Sequence, residues 1–145
     1  MHLHNLINHL PLLFPFAGII VLLIGVYFKS ELLKRVGYFL FVLAAIGAFL
    51  SMNTGEEAEE AIEGIYPKTT HHWAHEHEEK AELFALVMYG LGLLSLLAMW
   101  ASWAKNKFQQ YILWSIGAFL VAVIYLGYET GKSGGQVIHK EFRTE

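Results

Sequence analysis

The chain has 145 residues, is 55% hydrophobic and 16% charged, and carries a formal net charge of −3. With a mean hydropathy of +0.42, that is more apolar surface than one soluble domain of this length buries. The acidic balance excludes nucleic acid as a partner, and the lack of cysteine excludes disulfides, thiolate metal sites, iron–sulfur clusters and covalent haem attachment.

Four charge-free runs, residues 10–28, 36–55, 83–104 and 108–128, each approach the roughly 20 residues a helix needs to cross the hydrocarbon core. They predict an all-α, integral membrane four-helix bundle of two antiparallel hairpins, with the lipid bilayer as its first partner. The start, Met1-His-Leu-His-Asn-Leu-Ile-Asn-His9, has no basic stretch ahead of a long apolar run. It reads as a retained first helix rather than a cleaved signal peptide.

The first helix is predicted over about 10–28, with Asn8 as N-cap, Pro11 in the first turn and a slight bend at Pro15. Lys29-Ser-Glu-Leu-Leu-Lys-Arg35 is read as the short loop of the first hairpin. Helix two is expected over 36–62, because Glu56-Glu-Ala-Glu-Glu-Ala-Ile-Glu63 extends it with strong helix formers until Gly64 and Pro67 stop it. Thr69 or Thr70 caps helix three, about 71–104, whose first turns hold four histidines and four glutamates. Lys105-Asn-Lys107 makes the second turn, helix four covers about 108–130, and residues 131–145 form a short tail.

Lys29, Lys34, Arg35, Lys105 and Lys107 crowd the two short turns, which places those turns in the cytoplasm. Both termini and the polar segment 56–82 then face outward, an N-out/C-out arrangement in a bacterial inner membrane. All eight histidines fall on that periplasmic side. A faint internal repeat accompanies the two hairpins. Leu13-Phe14 and Ile46-Gly-Ala-Phe-Leu50 recur seventy residues on, at Leu83-Phe84 and Ile116-Gly-Ala-Phe-Leu120, and Thr54-Gly55 has an echo in Thr130-Gly131.

Helical spacing gathers polar groups at one mouth. His77 lies above Ala81, Phe84, Ala85, Met88, Gly92 and Ser95, a face of mostly small residues suited to helix contact. Glu56 and Glu59 lie one turn apart over Met52, Ala48 and Ala45. His9 opens helix one, and His139 follows Gly127 and Gly131 of helix four. Imidazoles with carboxylates suit zinc, iron, copper or manganese. His9 and His77, read at equal depth on two helices, suit the axial positions of b-type haem. The paired Glu-x-x-His turns of di-iron bundles are matched here only by the reversed His75-x-x-Glu78. Glu57, Glu60, Glu63, Glu76 and Glu79 read as solvated helix faces, and His2, His4, His71, His72 and His75 as exposed interfacial residues. Trp100, Trp103, Tyr111 and Trp114 read as the aromatic belt on one side, and Tyr125 and Tyr128 as that on the other.

Four segments occur in order at the outward ends of the helices: His4-x-x-x-x-His9-Leu-Pro11, Thr54-Gly-Glu-x-Ala-Glu59, His77-Glu78-x-x-Ala81 and Gly134-Gly-Gln-Val-Ile-His139-x-Glu141. In these the chain resembles, over nearly its whole length, the bacterial four-helix membrane proteins catalogued as domain of unknown function 2231. The resemblance implies a four-helix membrane fold and favours His9, Glu56, Glu59, His77, Glu78, His139 and Glu141 over the other histidines and glutamates. Members are sometimes fused to, or neighboured by, cytochrome c or iron–sulfur modules, which points to periplasmic electron transfer.

Three functions are therefore expected in order. The first is a module holding a transition metal ion (zinc, iron or copper) or b-type haem, linked to electron transfer or metal handling, with a periplasmic cytochrome as a partner. The second is a cofactor-free accessory subunit of a larger respiratory or transport complex; other membrane subunits or further copies of the chain are the partners expected. No span carries an ionisable acid or base, which disfavours a pump or channel. The third is a metal-dependent membrane enzyme in which Glu78 or Glu59 serves as base; no residue is singled out as catalytic.

Overall fold

The computed structural model describes residues 9–63 and 71–138. Four helices follow one another: α1 Leu10–Tyr27, α2 Glu31–Glu63, α3 His71–Trp103 and α4 Gln109–Ile138. Each contains a stretch long and apolar enough to cross a membrane. Helices adjacent in sequence are adjacent in space, α1 on α2, α2 on α3 and α3 on α4. Two antiparallel hairpins are thus joined along the α2–α3 seam. The end with the two tight turns is called the turn end below, and the opposite one the mouth.

Glycine sets the closest of these approaches. A Cβ on Gly25 would lie 2.7 Å from the backbone nitrogen of Lys34, so α1 and α2 meet backbone to backbone near the turn. Tyr38, Phe41, Met88, Leu91 and Ile116 are the large side chains fully enclosed between the helices. The Tyr38 hydroxyl and the Ser95 hydroxyl are buried without a hydrogen-bond partner among the described residues.

Both turns are built the same way. Lys29 (φ 53°) and Lys105 (φ 48°) take the left-handed conformation. The next amide then reaches back five residues, Ser30 to the Gly25 carbonyl at 2.8 Å and Asn106 to the Ala101 carbonyl at 2.9 Å. Ser30 at once caps α2, accepting the Leu33 amide at 3.4 Å on its hydroxyl. The expected loop 29–35 is therefore shorter, and α2 begins at Glu31 rather than at residue 36. A serine cap followed by an acidic first residue and good helix formers is enough to restart a helix there.

The larger correction concerns the end of α4. Residues 131–138, expected as tail, continue the helix to Ile138. Three glycines between 131 and 135 each disfavour helix by about 1 kcal/mol, but the segment is held by tertiary contact: Ser133, Gln136 and Val137 are buried. The internal repeat is corrected as well. The equivalent turn residues Lys29 and Lys105 stand seventy-six positions apart, the spacing of Thr54 and Thr130, so the seventy-residue apolar matches are out of register. Gly47 accordingly abuts Leu10, whereas a Cβ on Gly117 would meet nothing within 4 Å among the described residues.

Candidate functional site

His77 sits in the second turn of α3, beyond the apolar run, where α3 and α4 continue together past the mouth. Gly134 of α4 lies beneath its ring; a Cβ there would come within 3.1 Å of the imidazole Cε1. The His77 Nδ1 is 3.0 Å from the Ser133 hydroxyl oxygen, and that hydroxyl donates to the Thr130 carbonyl at 3.0 Å. A serine hydroxyl has one proton. Directed to Thr130, it leaves the hydroxyl oxygen to accept from Nδ1–H of His77; directed to His77, it makes Nδ1 the acceptor, so the pair itself admits either tautomer.

A second contact ties the same two helices. The Thr130 hydroxyl donates to the Lys80 carbonyl at 3.2 Å. The Lys80 ammonium lies 2.7 Å from Glu76 and 3.8 Å from Glu129. Its hydrogen bond to Glu76 holds that carboxyl below the ordinary carboxylate value, and the Glu76 carboxylate in turn raises Lys80.

The other expected site residues are not gathered around His77. Glu78, half-buried, lies 3.6 Å from His75, which is itself 3.5 Å from Glu79; His75 and Glu79 are well exposed. His9 is an exposed N-cap residue with no side-chain capping bond. Leu12 of α1 and Phe84 of α3 both meet the Gly127 position. Leu10 of α1 also abuts Gly47 of α2, and Ala45 of α2 abuts Gly92 of α3, so His9 lies well to the turn side of His77. The equal depth expected for a bis-histidine axial pair is not what the helix register produces. The α2 backbone carries Glu56 and Glu59 in its last turns, but their side chains, with His139 and Glu141, lie outside the described residues. Among the described residues no three histidine or acidic side chains converge as a metal-binding group.

Two features escape a reading of the chain alone. Ser133 looks like part of a glycine-rich tail; only the small-residue spacing of Gly127, Gly131 and Gly134 hints that α4 continues. At the turn end, Glu31 is the centre of a knot joining three helices. It accepts from Lys34 at 2.6 Å, from the Gln109 amide at 2.7 Å and from the Ser102 hydroxyl at 3.0 Å. Arg35 donates through Nε to the Ser102 hydroxyl oxygen at 2.8 Å and stands over the Trp103 ring. The hydrogen bond from Lys34 holds the Glu31 carboxyl below its usual value.

No protein family, curated protein or solved structure matches this chain.

Proposed function

We propose that this chain is a multi-pass protein of a bacterial inner membrane that holds a transition metal ion or b-type haem at a periplasmic mouth, with His77 as ligand. The observation that carries the reading is the His77–Ser133 pair. A ligating imidazole donates its second ring N–H to a neighbouring acceptor, which fixes the tautomer and aims the other nitrogen. In this reading Ser133 is that acceptor and Nε2 the ligating atom. The basic residues at both turns support cytoplasmic turns and an N-out/C-out topology. Glu56, Glu59, His139 and Glu141 are the further ligands proposed, in line with the resemblance to domain of unknown function 2231; His9, exposed and well to the turn side of His77, does not join them. Glu78, paired with His75, is the weakest of the set. Zinc, iron and copper all suit imidazole with carboxylate; the role is electron transfer or metal handling.

The test is an optical spectrum with elemental analysis of tag-free protein in mild detergent. A Soret band establishes haem. Stoichiometric metal without one establishes an ion site, and either species should be lost in His77→Ala. Neither species, or one that survives His77→Ala, overturns the reading.

A second reading, an accessory subunit, has its own observation. The apolar window of α4 is 11% buried, against 28%, 33% and 39% for the other three. Tyr111, Trp114, Val121 and Tyr125 all point away from the bundle. A second copy or another membrane subunit seated on α4 would cover them, and crosslinking from these positions in native membranes tests it.

A further inference from the structure

Among the described residues the fourth side of the bundle, between α1 and α4, is left open. Between α1 and α4 runs a groove of about 260 Å³. Pro15 and Phe16 form one wall, Ile124, Gly127 and Tyr128 the other, and the buried Phe84 ring of α3 the floor. Its cause is local. The α1 wall carries two prolines, and α4 presents Gly127 where a side chain would otherwise bridge the gap; a Cβ there would already lie 3.3 Å from Leu12. On α1 the lining extends from Pro11 to Ile19, about 12 Å along the axis at 1.5 Å per residue. That is most of one leaflet of a hydrocarbon core about 30 Å thick.

We infer that this groove holds one acyl chain of a phospholipid from the leaflet at the mouth. The wall and floor residues are apolar apart from the Tyr128 hydroxyl, so water, which needs two to four polar partners, is a poor occupant. The groove lies in the charge-free part of the helices and runs parallel to them, the direction in which a lipid chain lies. The Tyr128 phenol on α4 lines the groove as well, a hydrogen-bond donor for lipid ester and phosphate oxygens, which only accept. A chain seated there would meet walls on both sides and add to the sparse packing between α1 and α4, which touch at Leu12 and Gly127. The inference does not depend on a metal or haem at His77.

The test is native mass spectrometry of the full chain released from bilayer discs of phosphatidylethanolamine and phosphatidylglycerol. One phospholipid should stay bound at activation energies that strip the remaining lipid. Ile124→Trp should abolish that adduct: Ile124 is an exposed rim residue, so the larger side chain fills the groove without crowding the core. Gly127→Leu should do the same from the wall, and Val121→Trp, on the open face of α4, should leave the adduct in place. Circular dichroism identifies any variant that fails to fold. The inference is overturned if no phospholipid is retained. It is equally overturned if folded Ile124→Trp retains it as the wild type does, or if the mass bound is an isoprenoid quinone or a second copy of the chain.

Discussion

The imidazole of His77 and the hydroxyl of Ser133, fifty-six residues apart, meet at 3.0 Å, and the same hydroxyl lies within hydrogen-bond distance of the Thr130 carbonyl, 3.0 Å. One buried serine thus orients a histidine and anchors the last two turns of α4. Ser133→Ala leaves both Nδ1 and the Thr130 carbonyl without this partner. It should lower stability by about 1–3 kcal/mol and weaken any bound metal or haem by about 10–100-fold. Unfolding in mixed micelles measures the first and equilibrium titration the second; an unchanged affinity would separate Ser133 from ligand binding.

Gly134 and Gly131 make a matched pair. An added methyl at Gly134 meets the His77 ring at 3.1 Å, whereas at Gly131 it meets nothing among the described residues. Gly134→Val should displace the imidazole, seen as a shift of its NMR resonances and as lost ligand binding. Gly131→Ala should be neutral or stabilising by up to about 1 kcal/mol, the helix propensity difference.

The knot around Glu31 predicts an acid limit at the turn end. Its partners, Lys34 first, favour the ionised carboxyl, so its folded pKa lies below the ordinary 4.5. The unfolded chain therefore binds this proton first. The contribution of Glu31 is fully present above pH 4.5 and is lost as pH falls through the lower folded value. Stability against denaturant should decline over that interval in the wild type, and the Glu31 component should vanish in Glu31→Gln. A decline of the same size in both proteins would assign it elsewhere.

Tyr38 is enclosed with its hydroxyl unpartnered among the described residues. Removing a buried polar atom that makes no bond relieves its desolvation, so Tyr38→Phe should stabilise by about 1 kcal/mol. A destabilised variant would show that the hydroxyl has a partner after all, such as an internal water.

Lys29 and Lys105 hold left-handed backbone at the ends of α1 and α3. Glycine adopts that conformation without the steric cost, about 1–2 kcal/mol for other residues, and loses part of the advantage through greater freedom when unfolded. Lys29→Gly and Lys105→Gly should each be neutral to about 1 kcal/mol stabilising. Lys29→Val, with a branched Cβ at the same φ, should be clearly destabilising in the same unfolding assay.

Much of the fold was legible because its cause is local. A run of apolar residues that satisfies its own backbone as a helix can be read from composition, as can a turn rich in lysine, serine and asparagine. The bounds of α3 followed from residues 71–104 almost unchanged. The start of α2 was misread because basic residues next to a serine resemble a loop, although Ser30 and Glu31 together form a helix start. Residues 131–138 were misread for the opposite reason: their own preference is against helix, and only burial against α3 reverses it.

The candidate site was legible in part. That His77 faces the interior follows from its place seven residues before Phe84, a periodicity internal to one helix. That it meets Ser133, and stands further out than His9, follows from how the helices are set along one another. Residue order along a helix says nothing of that offset, which is decided by Gly25, Gly127 and Gly134 admitting backbone or ring at particular heights. The sequence by itself determined four apolar helices, their antiparallel order and the end at which imidazoles and carboxylates collect, because hydrophobic run length and turn chemistry act within a few residues. Only the tertiary structure decided which imidazole acquires a partner, how far α4 extends and that α1 and α4 part over Phe84, because each depends on side chains from different helices meeting at one depth.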